Sequence, residues 1–151
     1  EKIASIQKQM SEEEAKKLFQ QQKFDDAVKK LTEARQANPT LPPPKVTLAQ
    51  WFFQAQQGQA ARQALEMAAA EDPSHPEVYL LNASFAFNEG RVTDAVLSCQ
   101  QALELAKNPT WNAAQKQRFS REARLGMAAS VESRRNWPAA KEILTALLAE
   151  E

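Results

Sequence analysis

A spacing of 34 residues runs through this chain and limits its fold more than any other feature. Ala95 is preceded at that interval by Ala61 and Ala27, Ala102 by Ala68 and Ala34, and Ala83 by Ala49 and Ala15. Cys99 is preceded in the same way by Leu65 and Leu31, and Pro73 by Pro39. One alanine register would mean little in an alanine-rich chain, but five concurrent registers, proline included, do not follow from composition. Small residues recur where two helices must approach closely, larger apolar ones where the gap between them is filled, and proline where a helix stops. A unit of two helices cannot bury its own apolar face, so such units stack on one another as a helical solenoid.

The unit is clearest over residues 77–109. It reads as two amphipathic helices joined by a tight turn at Asn88-Glu89-Gly90. The first helix carries Val78, Leu81, Ala83 and Phe85. The second carries Val92, Ala95, Val96, Cys99, Ala102, Leu103 and Ala106 at spacings of three and four. Gly90 suits the left-handed residue that ends a helix, and Pro109 falls where a helix cannot continue. With small residues at these offsets, an aromatic or apolar residue in the turn, and a closing ALELAKNP or AAAEDP, the unit resembles the tetratricopeptide repeat. The resemblance covers nearly the whole chain. It is strong over 77–109, good over 8–41 and looser over 42–75, where Gly58 takes the turn place of Phe24 and Val92.

A fourth unit lies at an interval of 45, leading from Ala95 to Ala140, Ala83 to Ala128, Cys99 to Leu144 and Val92 to Trp137. The extra 11 residues fall around 108–119, and Arg135 replaces the family's turn glycine. The resemblance implies an all-α fold, a right-handed alpha-alpha superhelix of about four hairpin repeats and eight helices. One TPR-like domain over 1–151 is expected, with repeats near 8–41, 42–75, 76–109 and 120–151. The chain starts in mid-helix style at Glu1 and stops at Glu151, where the next proline would fall. The last helix offers Ala140, Ile143, Leu144, Leu147 and Leu148, more apolar surface than a terminal repeat usually shows. The expectation is therefore a piece of a longer repeat protein.

Local signals refine this outline. Ile3, Ile6, Met10, Ala15 and Leu18 predict one long first helix, while Ser11 with Glu14 offers a capping box that would start a new one there. Asp25 is a candidate cap for the second helix. The segment NPTLPPP reads as a loop with Pro44 in the first turn of a helix, rather than as a polyproline ligand. Helices at 45–56 and 60–71 follow. His75 is the only histidine and is expected in an exposed turn. Thr110 is expected to cap a helix running from Trp111 to Arg134. The first half of that helix, with Gln115, Lys116, Gln117, Arg118 and Arg121, is expected to project beyond the repeat, while Trp111 and Phe119 fold back on the stack.

Lys and Arg number 19 and Asp and Glu 19. That balance argues against a nucleic-acid or membrane-surface binder, which normally carries a basic excess. No apolar run approaches the ~20 residues a membrane span needs. Cys99 reads as an inert thiol in the packed seam. The lone His75 makes neither a catalytic triad nor a metal site, and the glutamates at 12–14 favour a helix N-terminus. No phosphate-cradling loop or paired-cysteine pattern is present. The chain reads as a non-enzyme without a metal or cofactor.

A sixth register carries the functional expectation. Phe19, Phe53 and Phe87 stand 34 residues apart, each near the end of the first helix of its unit. In the family, first helices line a concave groove, and the groove registers here are Glu12, Lys16, Phe19 and Gln20; Val46, Gln50, Phe53 and Gln54; Leu80, Ser84, Phe87 and Asn88; and Leu125, Ala129, Glu132 and Ser133. A Phe ladder flanked by amides can anchor a partner's apolar residues and hydrogen-bond its backbone. The alternative is that the rings pack as core. Family members that grip the acidic tails of chaperones use Lys, Asn and Arg in these registers. Only Lys16 is basic here, so a carboxylate clamp is not expected. The expected function is a protein–protein interaction module binding a partner peptide or helix in an apolar groove. The alternative is a structural spacer or oligomerisation segment that self-associates through residues 137–151.

Overall fold

The computed structural model describes residues 2–150, the Ala4 side chain excepted. Glu1 and Glu151, on which the expectation of a longer parent chain rests, lie outside the described residues. Eight helices and no strand occur among the described residues: α1 (Lys2–Gln20), α2 (Phe24–Ala37), α3 (Pro44–Gln54), α4 (Gly58–Glu71), α5 (Pro76–Asn88), α6 (Val92–Leu105), α7 (Ala113–Ser133) and α8 (Trp137–Ala149). Two compact units divide them at Asp72 and Pro73, four helices to each. The fold is all-α, built from consecutive helix pairs.

The alanine registers are the seams of these pairs. Ala15, Ala27, Ala49, Ala61, Ala68, Ala95 and Ala102 are all at most 1% exposed. A methyl group lets two backbones approach closely, and a larger side chain there would force the helices apart. Each hairpin turn also repeats one backbone device. Gln22, Gln56, Gly90 and Arg135 take φ of 61°, 60°, 74° and 57°. In every case that residue's N–H bonds three residues back and the next N–H bonds five back, as in Gln22 to Phe19 and Lys23 to Leu18, or Gly90 to Phe87 and Arg91 to Ala86. This is the pair of hydrogen bonds that closes a helix on a left-handed residue. Only one of the four is the glycine that such a conformation favours.

Several local expectations change. The first helix is continuous, as the run of apolar residues predicts, and the alternative start at Ser11 falls inside it. Asp25 lies within the first turn of α2, whose cap is Lys23. Thr110 does not cap α7, because the helix starts only at Ala113; the Thr110 N–H and hydroxyl both donate to Asn108 Oδ1. The Thr40 N–H and hydroxyl are held in the same way by Asn38. Asn112 caps α7 instead, in a reciprocal pair of bonds with Gln115. Pro44 stands at the first turn of α3, and Asn136 caps α8.

The largest correction concerns His75. It is not an exposed turn residue but is only 3% exposed. Its Nδ1 accepts the Glu77 N–H at the start of α5. Its ring meets Trp111 and Phe119 edge-on, with centroids 4.9 and 5.8 Å away. Phe119 is fully buried, and Arg118 lies over its ring, 4.7 Å from the centroid, while pairing with Glu77. The first half of α7 therefore packs onto the start of α5 rather than projecting from it.

Candidate functional site

Each unit holds a cleft between its two first-of-pair helices, and the two clefts differ. Aromatic side chains decide where each is closed. In residues 1–72, Phe19 at the end of α1 is boxed by Phe24, Trp51 and Phe52, with centroids 5.4, 5.5 and 5.1 Å away. Such tilted and edge-on contacts suit ring quadrupoles. They close the α1–α3 space at the C-terminal ends of both helices. A cleft of about 500 Å³ remains toward the other end, walled by Gln9, Glu12, Glu13, Lys16, Thr47 and Gln50 over Leu31, Leu41, Pro42 and Trp51. Its walls are polar and charged.

In residues 73–151 the arrangement is reversed. The aromatic cluster of His75, Trp111 and Phe119 closes the N-terminal end of the α5–α7 space. The cleft of about 350 Å³ opens toward the C-terminal ends and is lined by Leu80, Phe87, Leu125 and Ala129. Ser84, Asn88 and Glu122 form its polar edge, and Ala83, Ala95, Cys99, Gly126 and Ser130 its remaining wall. The residues that box Phe19 explain the difference. In the same repeat positions around Phe87 stand Val92, Ser130 and Val131 in place of Phe24, Trp51 and Phe52. These smaller side chains cannot close over the ring, and Phe87 stays 41% exposed.

The wall beneath this cleft is tightly packed. A Cβ on Gly126 would lie 2.7 Å from Cys99 Sγ, so only glycine lets α7 approach α6 there. Ala83, Cys99, Ala102 and Ala123 form one buried cluster, flanked by Tyr79, Leu80, Leu103 and Met127. Burial pushes the Cys99 thiol up to about 11, since the thiolate would be desolvated. The thiol is an apolar contact surface there and a weak nucleophile. At the edge, the Ser84 hydroxyl donates to the Leu80 carbonyl and the Asn88 amide to the Ser84 carbonyl.

The expected groove residues thus fall into different settings. Glu12, Lys16 and Gln50 line the first cleft, while Val46 is buried in the core. Phe19 and Phe53 are half-buried, and Gln20 and Gln54 are exposed at helix ends. Leu80, Ser84, Phe87, Asn88, Leu125 and Ala129 come together at the second cleft. Glu132 and Ser133 are exposed at the end of α7, where the Ser133 hydroxyl donates to the Ser130 carbonyl. Glu122, Gly126 and Ser130 were not singled out by the sequence. Nothing in the repeat pattern marks them, because their role comes from the partner helix.

The sequence model of the family described as Tetratricopeptide repeat matches residues 18–84 and again 52–118. A solved structure described as the first TPR of Spaghetti (RPAP3) bound to HSP90 peptide SRMEEVD is similar in fold. It shares 21% identity with a TM-score of 0.50, covering 85% of this chain and 94% of that one. Another, from work described as functional characterisation of Pseudomonas aeruginosa pilF, shares 14% identity with a TM-score of 0.43, covering 98% of this chain and 78% of that one. No curated protein matches the sequence.

Proposed function

Because the chain belongs to the tetratricopeptide repeat family, we propose that it is a protein-interaction module whose α5–α7 cleft holds the apolar side chains of a partner peptide or helix. The observation that carries this reading is the exposure of Phe87 and Leu125, 41% and 43%, on one concave surface. Large apolar side chains left in contact with water in a cleft gain free energy when a ligand covers them, about 25 cal/mol per Å² removed from water. The edge supports orientation. With its hydrogen donated to the helix backbone, the Ser84 hydroxyl offers lone pairs to a ligand N–H.

The solved relative carries an HSP90 peptide, SRMEEVD. An acidic ligand of that kind does not suit this chain. Among the residues lining the α5–α7 cleft the charged one is Glu122. Lys16 stands in the other cleft, beside Glu12 and Glu13. A carboxylate would meet repulsion in the first case and competition for the lysine in the second. The ligand is therefore apolar in its anchors and neutral or basic in net charge.

Affinity capture from a cell extract, read by mass spectrometry, tests this reading. A Phe87→Ser/Leu125→Ser variant, shown by circular dichroism to be folded, should lose the partners that the wild-type chain holds. Retention of the same partners by both baits would sink the cleft as the binding face and favour a spacer within a longer repeat array.

A further inference from the structure

The α5–α7 cleft is blind at one end, and that limits what can occupy it. The Trp111 indole N–H donates to the Leu105 carbonyl at 3.0 Å, and its ring stands 5.4 Å from that of the fully buried Phe119. Arg118 beside Phe119 is paired with Glu77 at the start of α5. A pin fastened at these points bars an extended chain from running the length of the groove between the two helices. About 350 Å³ stays open. That is the low end of the range for ligand pockets, and it gives room for one large side chain rather than a peptide segment.

The other unit shows which side chain suits the space. Phe19 packs on the Trp51 ring at a centroid distance of 5.5 Å and a tilt of 59°. Phe87 holds the same repeat position, but Ser130 stands in the place of Trp51. The Ser130 hydroxyl donates to the Gly126 carbonyl of its own helix, so it makes no polar demand on the cleft. Phe87 thus lacks the ring that its counterpart has, and it stays exposed in the cleft together with Leu125. Tilted ring pairs gain more than area burial alone, which favours an aromatic occupant over an aliphatic one.

Glu122 sets the charge of the occupant. It is the charged residue of the lining, and Arg118 Nη1 approaches its carboxylate only to 3.9 Å, while Arg118 Nη2 is bonded to Glu77. The Glu122 oxygens can therefore accept hydrogen bonds from a ligand cation. Glu122 and Ser130 stand eight residues, about 12 Å, apart along α7. An aromatic residue and a neighbouring arginine or lysine cover that span together. Resting on the reading of this cleft as a binding face, we propose that its occupant is a partner segment presenting one aromatic side chain beside a basic one. The ring packs on Phe87 in the place that Trp51 fills against Phe19, and the cation pairs with Glu122.

Blocked dipeptides titrated into the full chain, followed through amide shifts in heteronuclear NMR spectra, provide the test. N-acetyl-Arg-Trp-amide should shift the amides of Leu80, Ser84, Phe87 and Leu125 with millimolar affinity. The Arg-Leu counterpart should bind about fivefold more weakly, and the Glu-Trp counterpart about threefold more weakly at low salt. Glu122→Gln should bring the Arg-Trp and Glu-Trp peptides to one affinity. Phe87→Ser, shown by circular dichroism to be folded, should abolish the shifts. Equal affinities of the Arg-Trp and Arg-Leu peptides at these amides would overturn the aromatic assignment while leaving an apolar binding cleft standing. A charge preference that survives Glu122→Gln would overturn the pairing in the same way. No shift at these amides with any of the peptides would overturn the proposal and count against the cleft as a binding face as well.

Discussion

The two clefts are built from the same repeat positions and end with opposite characters. Around Phe19, the residues Phe24, Trp51 and Phe52 make a closed aromatic box, and what stays open is a polar space beside Glu12, Glu13 and Lys16. Around Phe87, the same positions hold Val92, Ser130 and Val131, and an apolar space stays open. In residues 73–151 the aromatic pin has moved to the other end of the cleft, as His75, Trp111 and Phe119. A repeat register therefore fixes where a side chain sits on its helix. What surrounds that side chain depends on residues some thirty positions later in the chain.

The largest effects are expected at the aromatic pins. Phe119→Ala should destabilise by about 3–5 kcal/mol, the usual range for a fully buried ring. Chemical denaturation read at a tryptophan of the same unit would show it, and a loss near zero would mean that the cluster does not close that cleft. Gly126→Ala comes next. Alanine is about 1 kcal/mol better than glycine in a helix interior. Yet the Cβ would lie 2.7 Å from Cys99 Sγ, and overpacking of this kind costs about 1–3 kcal/mol. Adding Cys99→Ala should recover most of the loss, whereas equal effects of Gly126→Ala with and without Cys99 would contradict the contact.

Phe19→Ser and Phe87→Ser should differ in cost. The first empties part of a box and should cost about 2 kcal/mol, while the second removes a partly exposed ring and should cost under about 0.5 kcal/mol. Equal melting shifts would mean that the two rings share one environment. A smaller effect is expected at the turns. Gln56→Gly should stabilise by about 0.5 kcal/mol, because the left-handed conformation strains any residue with a Cβ and the gain exceeds glycine's entropy. Gly90→Gln should do the reverse. The last effect is visible only in alkali. The folded Cys99 thiol keeps its proton up to about 11, against an ordinary 9. The unfolded chain loses that proton first, so stability should fall as pH rises between the two values and be unaffected below them. Cys99→Ser removes that slope if the assignment is right.

Much of this fold could be read from spacing alone. The alanine seams, the eight helices and the start of α3 at Pro44 follow from period and proline chemistry, because they depend on neighbours three and four residues apart. His75 could not be read that way. Its flanking prolines and Ser74 signal a turn, while its burial depends on Trp111 and Phe119. The cap of α7 falls two residues later than the expected Thr110 for a local reason. Thr110 is a good cap type, but Asn112 with Gln115 makes the full reciprocal capping pair and sets the start at Ala113. The candidate site was legible only as a set of registers. Leu80, Ser84, Phe87, Asn88 and Leu125 do meet at one cleft, whereas the box around Phe19 and the Gly126–Cys99 contact arise between helices.

The central claim is that the open α5–α7 cleft, and not the boxed one, is where a partner binds. Peptides selected from a random displayed library against the whole chain should be titrated by fluorescence anisotropy into wild type, Phe19→Ser and Phe87→Ser. The account predicts apolar anchors in the selected sequences and an affinity weakened at least about tenfold by Phe87→Ser. Phe19→Ser, measured below its melting temperature, should stay within about twofold of wild type. Selection of acidic C-terminal sequences, or a loss of binding in Phe19→Ser with none in Phe87→Ser, would contradict it.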